Sequence, residues 1–166
     1  VIKPFDIKAE SIVLSENFDD GVIGNWSTLF EGNIELVTDT EQGWFLRKKT
    51  NNDPSGGRVL LNDSLTDFDV VLHTRRVSNN GGGKANRYSL TDSEGNGYGA
   101  YLHYSTNELV IEKRSLWGGS ELIRSGTLPV GLLLNQWYTL HFIRSESALR
   151  AQLFLGKANP LSSTPI

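Results

Sequence analysis

The sequence predicts an all-β protein, two antiparallel sheets packed face to face as a sandwich. Three observations point there. Almost every apolar stretch is short, rich in β-branched or aromatic residues, and closed by Gly, Asn, Asp or Ser. The stretch Phe68-Asp69-Val70-Val71-Leu72-His73-Thr74-Arg75-Arg76 alternates: Phe68, Val70 and Leu72 fall on one face, Asp69, Val71, His73 and Arg75 on the other. No window of twelve residues keeps a helical period without a Gly, a Pro or a strand signal interrupting it.

Taken in order, strands are expected at Ser11–Phe18, Asn33–Thr38, Trp44–Lys49, Gly57–Leu61, Phe68–Val77, Arg87–Asp92, Gly97–Tyr104, Glu108–Arg114, Glu121–Ser125, Trp137–Ser145 and Leu149–Leu155. Within Glu108–Arg114, Leu109 and Ile111 oppose Val110, Glu112 and Arg114. Turn residues fall where hairpins need them, at Asn80-Gly81, Asn96-Gly97 and Ser105-Thr106-Asn107. Ser115–Ser120 and Leu128–Asn135 read as connections, and Gly118-Gly119 argues against a helix there. The expected core is Phe68, Val70, Leu72, Tyr98, Ala100, Leu102, Leu109, Ile111, Leu140 and Phe142.

A chain of 166 residues fits one domain, expected over 10–156 between linkers at 1–9 and 157–166. The 38% hydrophobic and 21% charged residues are ordinary for a globular protein, so wholesale disorder is not expected. A net charge of −3 gives no footprint for nucleic acid. No apolar run approaches the ~18 residues of a membrane helix, so no membrane insertion is expected. Cysteine is absent, which removes disulfides, thiolate metal sites and cysteine nucleophiles together. Methionine is absent even at position 1, so the chain is expected to be part of a larger multidomain protein. Asn25-Trp26-Ser27 and Asn62-Asp63-Ser64 fit a glycosylation sequon that has meaning only on the eukaryotic secretory route.

Motifs for chemistry are few. Gly81-Gly82-Gly83-Lys84 lacks the leading Gly and trailing Ser or Thr of a phosphate loop, those places holding Ser78 and Ala85. Asp92-Ser93-Glu94-Gly95-Asn96-Gly97 begins like a calcium loop, but its twelfth position is His103 and no helix flanks it, so a hairpin turn is expected. Asp19-Asp20 is the better candidate for half of a calcium site, and two carboxylates alone do not complete one. His73, His103 and His141 have no evident nucleophile partner. The Glu-x-Asp-x-x-Glu string of β-sandwich endoglucanases occurs nowhere. No enzyme activity, cofactor or metal is therefore expected. Trp26, Trp44 and Trp137 read as core or sheet-edge packing, whereas Trp117 sits in the glycine-rich Leu116-Trp117-Gly118-Gly119, open either to stack on a sugar or to fold back on the core.

Four segments together resemble a known superfamily. They are Phe18-Asp19-Asp20-Gly21 through Trp26, then Asp67–Val77, then Gly97-Tyr98-Gly99-Ala100-Tyr101-Leu102 running into Glu108–Arg114, and Trp137-Tyr138-Thr139-Leu140. Over residues 10–155 the chain resembles the concanavalin A-like (laminin-G-like) jelly rolls. The resemblance implies a carbohydrate-binding module, of the kind attached to glycosidases or inserted in phage baseplate and tail proteins, and hence an extracellular or virion location. The acidic last strand that often completes a calcium site in such modules is replaced by Gly156-Lys157-Ala158-Asn159-Pro160.

A saccharide offers many hydroxyls and little charge, so its site needs planar, multi-donor side chains and an aromatic platform. Arg75, Arg87, His103, Glu112 and Arg114 are expected on one side of a sheet, with Tyr101 and Trp117 as platforms. That convergence requires strands Phe68–Val77 and Glu108–Arg114 to share a sheet. Two other readings stay open: a structural or protein-interaction domain of a baseplate or tail protein, and a glycoside hydrolase.

Overall fold

The computed structural model of the chain describes residues 26–28, 34–40, 43–48, 57–59, 67–77, 84–92, 96–115 and 119–166. Every regular element among them is a strand. The chain divides into two compact units, Val1–Leu61 and Asn62–Ile166, where the sequence suggests one domain over 10–156.

The first unit holds two antiparallel pairs. Strand β1 (Trp26–Thr28) pairs with β4 (Gly57–Val59), and β2 (Ile34–Asp39) pairs with β3 (Gly43–Lys48). Glu35 and Arg47 stand opposite one another across β2 and β3, with Nη2 to Oε1 at 2.6 Å. The expected strand Ser11–Phe18 and the Asp19-Asp20 candidate lie outside the described residues, and β1 was not foreseen.

The second unit is the sandwich. One sheet has three strands in the order β11 (Ala148–Leu155), β10 (Trp137–Ser145), β5 (Phe68–Arg75). The other has four, in the order β6 (Lys84–Thr91), β7 (Gly97–His103), β8 (Glu108–Ser115), β9 (Gly119–Thr127). Every pairing is antiparallel. Strands β6 to β9 follow one another through short connections and so form a meander. Strand β5 instead pairs with β10, so that Leu72 faces Leu140 and Val70 faces Phe142.

Ala100, Leu102 and Ile111 from the four-stranded sheet and Tyr138, Leu140, Phe142 and Leu153 from the three-stranded sheet form one core cluster, joined by Leu128. Phe68, Leu72, Tyr98 and Leu109 pack against it, and the Phe68 and Phe142 rings lie 5.0 Å apart. Val70 is half-buried and stands outside that cluster. Polar groups at the sandwich interior are spent on fixing it. Tyr88 bonds Thr74, and burial raises its phenol to about 12.

Turn chemistry follows the sequence. Asn107 takes the left-handed conformation (φ 57°) at the β7–β8 turn, and its side chain bonds the Leu128 carbonyl and accepts from the Leu132 N–H. Asp92 accepts from the Asn96 N–H, closing the β6–β7 turn as a hairpin cap. Glu146, also left-handed (φ 54°), donates its N–H to Asp67 at the β10–β11 turn. The segment after β11, which the sequence suggests is a linker, is tied back: the Ile166 N–H bonds the Leu153 carbonyl, and the Ile166 side chain packs on the core.

Candidate functional site

On β7 and β8, alternate residues face away from the core. The pairs Gly97↔Arg114, Gly99↔Glu112, Tyr101↔Val110 and His103↔Glu108 line up across the two strands. Four of the seven expected site residues, Tyr101, His103, Glu112 and Arg114, therefore share one outer face. Strand β9 adds Thr127, Ser125 and Leu122 to it, and β6 adds Ser89 and Thr91.

The face is open only in part. Tyr101 is 6% exposed and Glu112 2%, so neither is a bare platform or a freely reached carboxylate. Glu112 accepts a hydrogen bond from Arg114 Nη1 at 3.2 Å, and the Arg114 side chain keeps 19% exposure. Gly99 makes room for this pair, since a Cβ there would lie 3.4 Å from Glu112 Oε1 and 2.8 Å from the Tyr88 carbonyl oxygen. Gly97 is tighter still, a Cβ meeting the Leu90 carbonyl at 2.0 Å. Gly97→Ala should therefore push β6 from β7 and cost about 1–3 kcal/mol of stability, read by urea unfolding. An unchanged midpoint would show that the strands are not so closely apposed.

The solvent-facing end of the site lies at the β7–β8 turn. His103 Nδ1 is 2.8 Å from Thr106 Oγ1, Thr106 donates to Glu108 Oε2, and Ser125 donates to Glu108 Oε1 at 3.1 Å. The bonds from Thr106 and Ser125, with a smaller contribution from His103, hold the Glu108 carboxyl below the usual carboxylate range. Glu108, Thr106 and Ser125 were not foreseen as site residues. The hydroxyl-rich composition of the turn and of β9 is the signal that marks them.

Arg75 does not join this group. It lies on β5, in the other sheet, and its guanidinium sits 5.0 Å from the Trp137 ring centroid, with Lys157 Nζ at 4.6 Å from the same ring. The condition for the convergence of Arg75 with Arg114, that Phe68–Val77 and Glu108–Arg114 share a sheet, is not met: the meander fills the neighbours of β8 with β7 and β9, and β5 pairs with β10 instead. Arg87 lies on β6, where the register with β7 breaks between Ala85 and Tyr88, and its side chain is outside the described residues. Trp117 also lies outside the described residues.

The outer face of the three-stranded sheet holds a different polar set. His141 Nε2 is 2.6 Å from Asp69 Oδ1, and His141 Nδ1 is buried without a hydrogen-bond partner among the described residues. A carboxylate–imidazole pair of this kind makes two-thirds of a hydrolytic triad, but among the described residues no hydroxyl bonds the second nitrogen. Thr139 donates its one hydroxyl proton to the Gly156 carbonyl and accepts from the Ala158 N–H. The 2.8 Å contact from His73 Nδ1 to Thr139 Oγ1 therefore has the imidazole donating.

Burial and the charge of Lys157 lower the His73 pKa from 6.5. The folded protein resists the proton that the unfolded chain accepts, so this residue lowers stability as pH falls through and below the ordinary imidazole range. Lys157→Gln should raise the His73 pKa and soften that loss, measured by NMR titration of the ring. A His73 titration unmoved by the substitution would contradict the assignment.

Among the described residues no helix is long and apolar enough to cross a membrane, and no cluster of His, Asp and Glu is arranged to hold a metal ion.

No protein-family model matches the chain. No solved structure matches it. The chain is similar to Uncharacterized protein MJ1394 of Methanocaldococcus jannaschii, 29% identical over 109 residues that cover 63% of this chain and 10% of that protein. The chain thus spans about a tenth of the length of this relative.

Proposed function

We propose that this chain is a non-catalytic carbohydrate-binding module that recognises a cell-wall or cell-surface saccharide through the outer face of its four-stranded sheet. The observation that supports it is the register placing Tyr101, His103, Glu112 and Arg114 on one face, with His103 and Arg114 reaching solvent beside Ser89, Thr91, Ser125 and Thr127. Such a face offers fixed donors and acceptors to hydroxyl groups, and Arg114 is held by Glu112 before any ligand arrives. The resemblance to concanavalin A-like modules supports the same reading.

The two carboxylates of this face are already engaged: Glu112 is 2% exposed and accepts from Arg114, and Glu108 accepts from Thr106 and Ser125. That engagement favours binding over hydrolysis, which needs one carboxyl free to protonate the leaving group and another to attack or to activate water. The match to a tenth of a much longer relative fits a module carried within a larger protein, and the location we propose is extracellular or on a virion, where adsorption to a bacterial host would use such a module. A protein-interaction domain is the second reading, favoured by the exposed apolar side chains Leu122, Ile123, Val130 and Leu133.

A glycan array together with whole bacterial cell walls tests the proposal. The expected result is a saccharide hit whose affinity, by calorimetry, falls about ten-fold in His103→Ala. No binding to any glycan or wall preparation would favour the protein-interaction reading.

A further inference from the structure

Strand β9 is an edge of the four-stranded sheet, and among the described residues it has β8 as its one strand neighbour. Residues 121–127 are all exposed, with Leu122 62% and Ile123 47% accessible. An open edge of this length presents a row of backbone N–H and C=O groups to any strand that can match it. Its sequence, Gly119-Ser120-Glu121-Leu122-Ile123-Arg124-Ser125-Gly126, is its own complement when read backwards. Gly meets Gly, Ser meets Ser, Glu meets Arg, and Leu meets Ile.

In a regular strand this symmetry would be useless, because residues 121 and 124 would point to opposite faces. The bulge in β9 changes that. Lys113 pairs with Glu121 and Ile111 with Arg124, leaving Ile123 as the extra residue. Glu121 and Arg124 therefore lie on the same face as Ile111, while Ser125, opposite Val110, lies on the other. Neither Glu121 nor Arg124 makes an ion pair among the described residues.

We propose that β9 pairs antiparallel with β9 of a second copy of this chain, about a two-fold axis between Leu122 and Ile123. Each copy sets its Glu121 opposite the other's Arg124, giving two such pairs by symmetry, and the exposed Leu122 and Ile123 meet at the centre. The two four-stranded sheets become one eight-stranded sheet with both outer faces on the same side. One strand pair buries little surface, so the dimer is weak and concentration-dependent. The pairing does not rest on the saccharide reading.

Sedimentation of the full chain tests it. The expected result is a monomer–dimer equilibrium visible below about 0.5 mM. Glu121→Arg and Arg124→Glu, each alone, set like charges opposite and should weaken the dimer about ten-fold or more. An equimolar mixture of the two variants restores opposite charges at both contacts, so it should associate as the unaltered chain does. That rescue also shows both variants to be folded. A chain monomeric throughout the range, a dimer indifferent to both charge reversals, or variants that fail to associate on mixing would each overturn the proposal.

Discussion

Phe142→Ala is expected to lower the unfolding free energy by about 3–5 kcal/mol, the largest single effect of any substitution considered for this protein. Phe142 lies on β10, the central strand of the three-stranded sheet, and is almost completely buried. Its ring packs against Phe68 at 5.0 Å and belongs to the cluster that joins both sheets. Truncation removes the ring's transfer free energy and leaves a cavity that flanking strands, held on both sides by ladders, cannot close. Domains of this size have only about 5–15 kcal/mol in total, so the variant should unfold at a much lower urea concentration. A loss below about 1 kcal/mol would mean that the inner face has been misassigned.

Arg114→Ala is expected to have two effects at once. The first is on stability. Read from the sequence, Arg114 looks like an exposed charge whose loss costs almost nothing. In the structure it is four-fifths covered and bonds the carboxylate of Glu112, which is 2% exposed. Removing a partner of a buried carboxylate should cost about 1–3 kcal/mol. The second is on the proposed saccharide affinity, which should fall about ten-fold with the loss of a charged donor. Arg114→Lys separates the two: the charge stays near Glu112 and recovers part of the stability, whereas the planar fork is gone and affinity remains low. Unfolding and calorimetry on both variants check this, and an Arg114→Ala protein as stable as the parent would contradict the buried pair.

How much of this was readable in advance depends on the distance over which each feature is decided. Alternation and turn residues are local, and Trp137–Ser145 emerges as β10 with the limits the sequence suggests. Asn107 and Asp92 act in their turns for reasons written in their own side chains. Strand partners are not local. Nothing in Phe68–Val77 says that it pairs with a strand some seventy residues later and not with the meander that follows it, and so Arg75 was placed on the wrong sheet. The Asp69–His141 contact was hidden for the same reason.

The burial of Tyr101 and Glu112 has a signal in the local sequence. Gly97-Tyr98-Gly99-Ala100-Tyr101-Leu102 contains no charged residue on either face, and a strand without a polar face is covered on both. Glu112 stands opposite Gly99 in that strand and shares its burial.

The outer face of the four-stranded sheet is the saccharide site we propose. An NMR titration of the labelled chain with the glycan found by array tests it most directly. The expected result is shifts concentrated at His103, Glu108, Arg114 and Ser125, with the outer face of β5, β10 and β11 unmoved. Shifts that gather around His73, Asp69 and His141, or that are absent from both sheets, would contradict it.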